Sequence, residues 1–123
     1  MLLNHLYTIL ESEQIENKYL FEVRLNAAHP IFDGHFPDVP VLPGVTMMQM
    51  LKELLEHSLR VTLQIQTMGN MKFLQMINPQ KTDILKVEIE IIEKTEADLK
   101  IKAQIFDKEK VCFKAQGKLA ILK

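Results

Sequence analysis

His29-Pro30-Ile31-Phe32-Asp33-Gly34-His35-Phe36-Pro37-Asp38-Val39-Pro40-Val41-Leu42-Pro43-Gly44-Val45-Thr46 runs without a gap into Met47-Met48-Gln49-Met50-Leu51-Lys52-Glu53-Leu54-Leu55-Glu56, and this stretch decides how the chain is read. It holds four of the five prolines and two of the four glycines. Pro30, Pro37, Pro40 and Pro43 each fix φ and push the preceding residue into an extended conformation. The segment before Gly44 is therefore a stiff, shaped loop. From Val45 the apolar residues Val45, Met48, Leu51, Leu55 and Leu59 recur at spacings of three or four, which predicts a helix over about 44–58 with one buried face. Met47, Met50 and Leu54 broaden that face. A helix begun at Pro43-Gly44 leaves its first N–H groups unpaired and its positive dipole end facing whatever the loop encloses, which suits a carbonyl oxygen or an anion. His35, nine residues before Gly44 on the same loop, brings a titratable imidazole towards those donors. Taken alone, His35 reads more simply as a loop histidine satisfied by a backbone carbonyl.

Working outward, 123 residues make a single domain over 1–123, with room for one core. Fifteen Lys and Arg stand against 16 Asp and Glu, a balance that gives no support for binding nucleic acid or an anionic membrane. Cys112 is the only cysteine, which excludes an intrachain disulfide and a cysteine-based metal site and fits a reducing compartment, the cytoplasm. No stretch has the length of an apolar membrane span, and Met1 to Leu6 lacks the basic region and cleavage site of a leader, so it is expected to belong to the fold. Leu6 to Gln14 and Lys18 to Asn26 read as a hairpin turning at Ile15-Glu16-Asn17, with Tyr19, Phe21, Val23 and Leu25 on its apolar face. After the helix, a strand is expected from Arg60 to Gln66. Met68 to Ile77 is expected to continue as a long buried strand that ends at Asn78-Pro79-Gln80-Lys81. Ile84 to Ile92, Leu99 to Phe106 and Val111 to Leu122 complete an antiparallel meander. One helix against five or six strands is an α+β order.

Gly34-His35-Phe36-Pro37, then Pro40, then Pro43-Gly44-Val45 resembles the loop of the FabZ/FabA-type 3-hydroxyacyl-[acyl-carrier-protein] dehydratases. Those are hot-dog folds, in which a curved antiparallel sheet wraps one central helix. The resemblance implies a homodimer, or a higher oligomer, with each site taking its histidine from one chain and its helix acid from the other. It implies an acyl thioester substrate carried on the phosphopantetheine of acyl carrier protein or coenzyme A, with no further cofactor. By the same resemblance His35 is the base, and the Gly44 N–H polarises the thioester carbonyl. Phe36, Pro43, Val45, Met48 and Phe73 contact the substrate. The family's acid, a Glu or Asp fourteen residues after the histidine, is replaced here by Gln49, which cannot donate and recover a proton as a carboxyl does. Glu53 stands where the family usually has Gln, one helical pitch or roughly 5 Å away on the same face. It reads either as a substitute acid working through a water or as an outward, solvated helix residue.

Lys72-Phe73 with Pro79 resembles a second family segment, and Lys72, Lys81, Arg24 and Lys52 are candidates for docking an acidic carrier. Asp33 reads as a turn residue before Gly34, with orientation of the imidazole as its other reading. His5, His29 and His57 show no metal-ligand spacing and read as surface or loop residues, and no metal is expected. Met68, Met71, Phe73 and Met76 read as core or dimer filling, and in a hot-dog fold as acyl-tunnel lining. Three functions follow. The first is elimination of water from a 3-hydroxyacyl thioester to a trans-2-enoyl thioester, the work of a hydro-lyase in fatty acid or polyketide-type synthesis. The second is an acyl-thioesterase in which Glu53 or Asp33 activates a water. The third is a non-catalytic acyl-thioester-binding subunit of a dehydratase complex.

Overall fold

The structure, a computed structural model, describes residues 1–33 and 40–122. Alternating apolar residues build six strands: β1 (Tyr7–Ile15), β2 (Lys18–Leu25), β3 (Thr62–Phe73), β4 (Ile84–Lys94), β5 (Asp98–Asp107) and β6 (Lys110–Leu122). They form one antiparallel sheet in the order β1-β2-β4-β5-β6-β3. The single helix α1 (Gly44–Leu59) falls between β2 and β3, so the expected α+β, hot-dog arrangement is the one observed. The first hairpin turns on two residues rather than three, because Glu16 takes the left-handed conformation (φ 56°) and lets Ile15 stay paired with Lys18.

The core lies between one face of this sheet and α1. Phe21, Val23 and Leu25 of β2, Leu85, Val87 and Ile89 of β4, and Leu99, Ile101, Ala103 and Ile105 of β5 are all buried, each set two residues apart as a pleated strand demands. Against them α1 buries Met47, Met50, Leu51, Leu54 and Leu55. The buried arc is rotated from the one expected: Val45 is 70% exposed, and Met48 and Leu59 are half-buried at its margin. The broadening residues are its true centre. At 3.6 residues per turn, 47, 50, 51 and 54 cluster about one direction while 45 lies nearly opposite.

Two strand expectations are corrected. β3 starts at Thr62, not Arg60, because Arg60 closes the helix in the left-handed region (φ 56°, ψ 45°) with its N–H on the Glu56 carbonyl. β3 also ends at Phe73, and most of the stretch expected to be buried is not: Met71 and Phe73 at the end of β3, and Leu74 and Met76 just past it, are all exposed, with Met76 at 79%, and only Ile77 is buried. The reason is topological. β3 is the last strand of the sheet, paired with β6 on one side only among the described residues, and it breaks register between Ile65 and Thr67 and again between Gly69 and Lys72. Beyond it, Leu74 and Gln75 donate to the Cys112 carbonyl, and the Ile77 carbonyl accepts from Leu42 at 2.8 Å, fixing the approach to α1.

The helix is stapled to its neighbours by two carboxylates. Glu56 accepts from the Leu63 N–H at 2.8 Å, holding the start of β3. Glu53 is fully buried, which overturns its reading as an outward, solvated residue. It accepts from the Leu2 N–H on both oxygens (3.1 and 2.9 Å), from the Leu3 N–H (2.8 Å) and from the Tyr7 hydroxyl (3.1 Å). The N-terminal residues are thus strapped across the helix, with Leu6 buried beneath, and they belong to the fold as expected. Burial pushes the Glu53 carboxyl up, but hydrogen bonds from Leu2, Gln49, Leu3 and Tyr7 outweigh it and hold the group below the ordinary carboxylate range. Burial, and then the Glu53 charge beside it, push the Tyr7 hydroxyl far up.

Replacing Glu53 with Ala leaves two backbone donors and a hydroxyl without their acceptor and is expected to cost about 2–4 kcal/mol in urea unfolding. Since folding lowers the Glu53 pKa, its contribution is complete above the unfolded-chain value of about 4.3 and is lost as pH falls through the lower folded value. The urea-midpoint gap between wild type and Glu53→Gln should therefore narrow on acidification through that window. A gap that stays constant there would refute the ionised strap.

Candidate functional site

The loop reaches α1 through Pro43, which caps the helix with extended backbone (φ −67°, ψ 149°) and no side-chain hydrogen bond. Its carbonyl accepts from Thr46 and Met47, both at 3.1 Å. The Gly44 and Val45 N–H groups have no acceptor among the described residues, and no acidic side chain lies in the first turn to neutralise the dipole. This is the donor-rich helix start that the Pro-Gly pair predicts.

Gly44 has a steric reason to be glycine. A Cβ there would overlap Cε1 of Phe73 and sit 2.7 Å from its Cζ. The Phe73 ring in turn leans on Phe113, centroids 5.0 Å apart at 42°, while 59% of the residue stays exposed. Two residues that the sequence singles out, Gly44 and Phe73, are thus brought together at the mouth of the helix, with Pro43 beside them. Val45 and Met48 face away from the centre of the core, where a ligand or another chain can reach them. His35 and Phe36 lie outside the described residues.

The second cluster lies one turn along. Gln49 Nε2 donates to Glu53 Oε2 at 2.9 Å, so the two side chains exchanged relative to the dehydratase pattern do meet on one helix stripe. Glu53 is fully buried and accepts from four donor residues, of which Leu2, Leu3 and Gln49 are themselves half-buried. Gly44 and Gln49 are separated by roughly 7.5 Å along the axis and about 140° around it. Within one chain they do not converge on a point.

Of the basic candidates, Arg24 pairs with Asp83 at 3.8 Å and Lys52 with Glu56 at 3.5 Å, while Lys72 and Lys81 are exposed. Asp33 is an exposed residue ending the short turn Pro30–Phe32, in keeping with its turn reading. His29 has a role that the sequence did not disclose: its Nδ1 accepts from the Ile31 N–H at 3.0 Å and caps that turn. Cys112 is buried, and burial raises its thiol pKa, which leaves it unreactive. No three His, Cys, Asp or Glu among the described residues gather to hold a metal. Among the described residues no helix is long and apolar enough to cross a membrane. An open groove that includes Glu13, Glu22, Lys86, Glu88 and Lys108 involves neither α1 nor β3.

Gly44→Ala should displace the half-exposed Phe73 ring rather than the helix, costing about 1–2 kcal/mol. In the Phe73→Ala background the same change should be nearly free, a non-additivity that a double-mutant cycle in urea reads directly. Additive costs would mean that the ring does not rest on Gly44.

A family model described as ApeI dehydratase matches residues 11–117. A 3-hydroxyacyl-[acyl-carrier-protein] dehydratase FabZ of Caulobacter vibrioides is 31% identical over 90 residues, covering 64% of this chain and 55% of that protein. The chain thus spans little more than half the length of that relative. A FabZ of Histophilus somni is 30% identical over 101 residues, covering 72% of this chain and 67% of that protein. Among solved structures, the dehydratase heterocomplex ApeI:P from Xenorhabdus doucetiae superposes with a TM-score of 0.73 at 19% identity, covering 92% of this chain and 96% of that one. A hypothetical thioesterase with coenzyme A from Streptococcus pneumoniae superposes at 0.66 with 12% identity, covering 94% and 85%. At such identities these two likenesses are of fold. The match over most of the chain places this protein in the ApeI-like dehydratase family.

Proposed function

We propose that the protein is a cytoplasmic 3-hydroxyacyl thioester dehydratase that eliminates water from a substrate carried on acyl carrier protein or coenzyme A, giving a trans-2-enoyl thioester. The observation that carries this reading is the helix start at Gly44, where two N–H groups without acceptors among the described residues open beside an exposed aromatic ring. Elimination builds negative charge on the thioester oxygen as the C2 proton leaves, and such donors stabilise that charge. His35 takes the proton and the Gly44 N–H holds the oxygen. Gln49 holds the departing hydroxyl or a water, and Phe36, Pro43, Val45, Met48 and Phe73 line the acyl path. A carrier's acidic surface would meet Lys72 and Lys81, the two basic candidates outside the ion pairs described above.

The functional unit in this proposal is a homodimer. Gly44 and Gln49 point to different sides of α1, so a site needing both takes one from each chain. The free edge of β3 with exposed Met71, together with exposed Leu74 and Met76 just past its end, is the surface that a second copy would cover. Sedimentation should give a dimer, and Met71→Lys with Leu74→Lys should shift it to monomer, because lysine blocks an edge strand from pairing. A wild-type monomer at micromolar concentration would exclude the shared site.

The deciding experiment is turnover of a 3-hydroxyacyl-carrier-protein series by wild type, His35→Ala and Gln49→Glu. Wild-type turnover that drops at least about 100-fold in His35→Ala is expected. Gln49→Glu would place a carboxyl against the ionised Glu53, and like charges that close share a proton, so the new carboxyl stays protonated near neutrality and can act as acid. Turnover by Gln49→Glu alone would favour a second reading: a subunit that binds acyl thioesters while a partner supplies the carboxylate. That reading is suggested by Gln49 itself and by the heterocomplex named for the Xenorhabdus relative. Inactivity of both, beside an active control dehydratase, would end the dehydratase proposal.

A further inference from the structure

Glu53 is surrounded by donors only. Leu2 N–H reaches both oxygens, Leu3 N–H and Tyr7 O–H reach Oε1, and Gln49 Nε2 reaches Oε2 at 2.9 Å. A carboxylate in that setting has no proton to offer, so whatever atom of Gln49 faces it has to be a donor. A glutamine amide has donors on its nitrogen alone. The amide is therefore fixed by chemistry: nitrogen inward on Glu53, carbonyl oxygen on the other branch. No donor among the described residues reaches Gln49 Oε1, and no buried polar side-chain atom there lacks a partner, so the oxygen is left for solvent or a ligand.

We propose that Glu53 is a positioning residue that turns the acceptor oxygen of Gln49 towards the ligand, so that the site selects thioesters with a hydroxyl at C3 over those with a carbonyl at C3. The proposal rests on the acyl-thioester reading above, which brings the C3 substituent to Gln49. A 3-hydroxyl donates to Oε1. A 3-carbonyl can only accept, and it would set two acceptor oxygens against each other in a partly dehydrated place. The exchange of Gln and Glu along the helix then has a consequence for selectivity rather than for acid strength. A glutamine held this way marks the hydroxyl without protonating it.

The test uses the purified assembly and non-reacting pantetheine amides, a 3-hydroxyacyl and a 3-oxoacyl of one chain length, with affinities from calorimetry. Wild type should prefer the hydroxyl by about tenfold, the worth of one such hydrogen bond. In Glu53→Gln, the Leu2, Leu3 and Tyr7 donors keep the new amide oxygen. Its nitrogen then faces Gln49 and flips that amide, so the preference should fall to within about threefold or invert. Gln49→Met, which leaves Glu53 and the strap in place, should also abolish the preference. A merely structural Glu53 would lower both affinities together and leave their ratio unchanged; that result overturns the proposal, as does a wild type with no preference. Failure of wild type to bind either amide is a different result, which overturns the thioester reading itself. Should Glu53→Gln not fold, the side-chain amide signal of Gln49 in wild type decides. One downfield, exchange-protected proton is expected, and two freely exchanging protons would overturn the assignment.

Discussion

A buried negative charge on α1 is the constraint on which the rest depends. Glu53 is placed on α1 at the edge of the arc that also buries Met50, Leu54 and Leu55, where an unpaired carboxylate would be prohibitively unfavourable. The chain meets that demand with two backbone amides from its N-terminal residues, one tyrosine hydroxyl and one amide side chain. Those partners lie about fifty residues away, except for Gln49, so one side chain ties the beginning of the chain to its central helix. The arrangement orders the strap, keeps Glu53 ionised and fixes the orientation of Gln49.

The helix start obeys a second constraint, close packing against an aromatic ring. Phe73 sits where any larger residue at 44 would place its Cβ, and Phe113 supports it from β6. The helix can therefore begin directly against the ring, and its leading amides are not occupied by a side-chain cap. A capping Ser or Asp at 43 would have stabilised the helix by about 1 kcal/mol and used up a donor. Pro43 supplies the backbone geometry without that competition. Capping stability has been given up where donors are useful.

Fold and chemistry separate cleanly in this protein. The same sheet and helix are shared with a dehydratase and with a hypothetical thioesterase, so the architecture leaves the reaction open. What is particular to this chain is local: a helix N-terminus whose first amides have no acceptor among the described residues, and an amide side chain at Gln49 held by Glu53. The exposed second half of β3 belongs to the same logic. It carries Phe73 to the helix mouth, and it is exposed because β3 ends the sheet among the described residues.

The sequence alone placed the helix and, apart from the two ends of β3, the strands to within a few residues, because period-two and helical patterns act over a few residues. It also disclosed the helix start as a donor site, since Pro43-Gly44 carries that meaning locally. Only the tertiary structure decided the state of Glu53, the burial of β3 and the orientation of Gln49. The Leu2 and Leu3 amides that hold Glu53 are backbone groups, which every residue has, so no side-chain pattern announces them. The exposure of Met71 and Phe73 follows from strand order, which composition does not encode. The rotation of the buried face of α1 towards Met47, Met50 and Leu54 likewise came from the sheet it packs on, because a helix apolar over much of its circumference lets its partner choose the side.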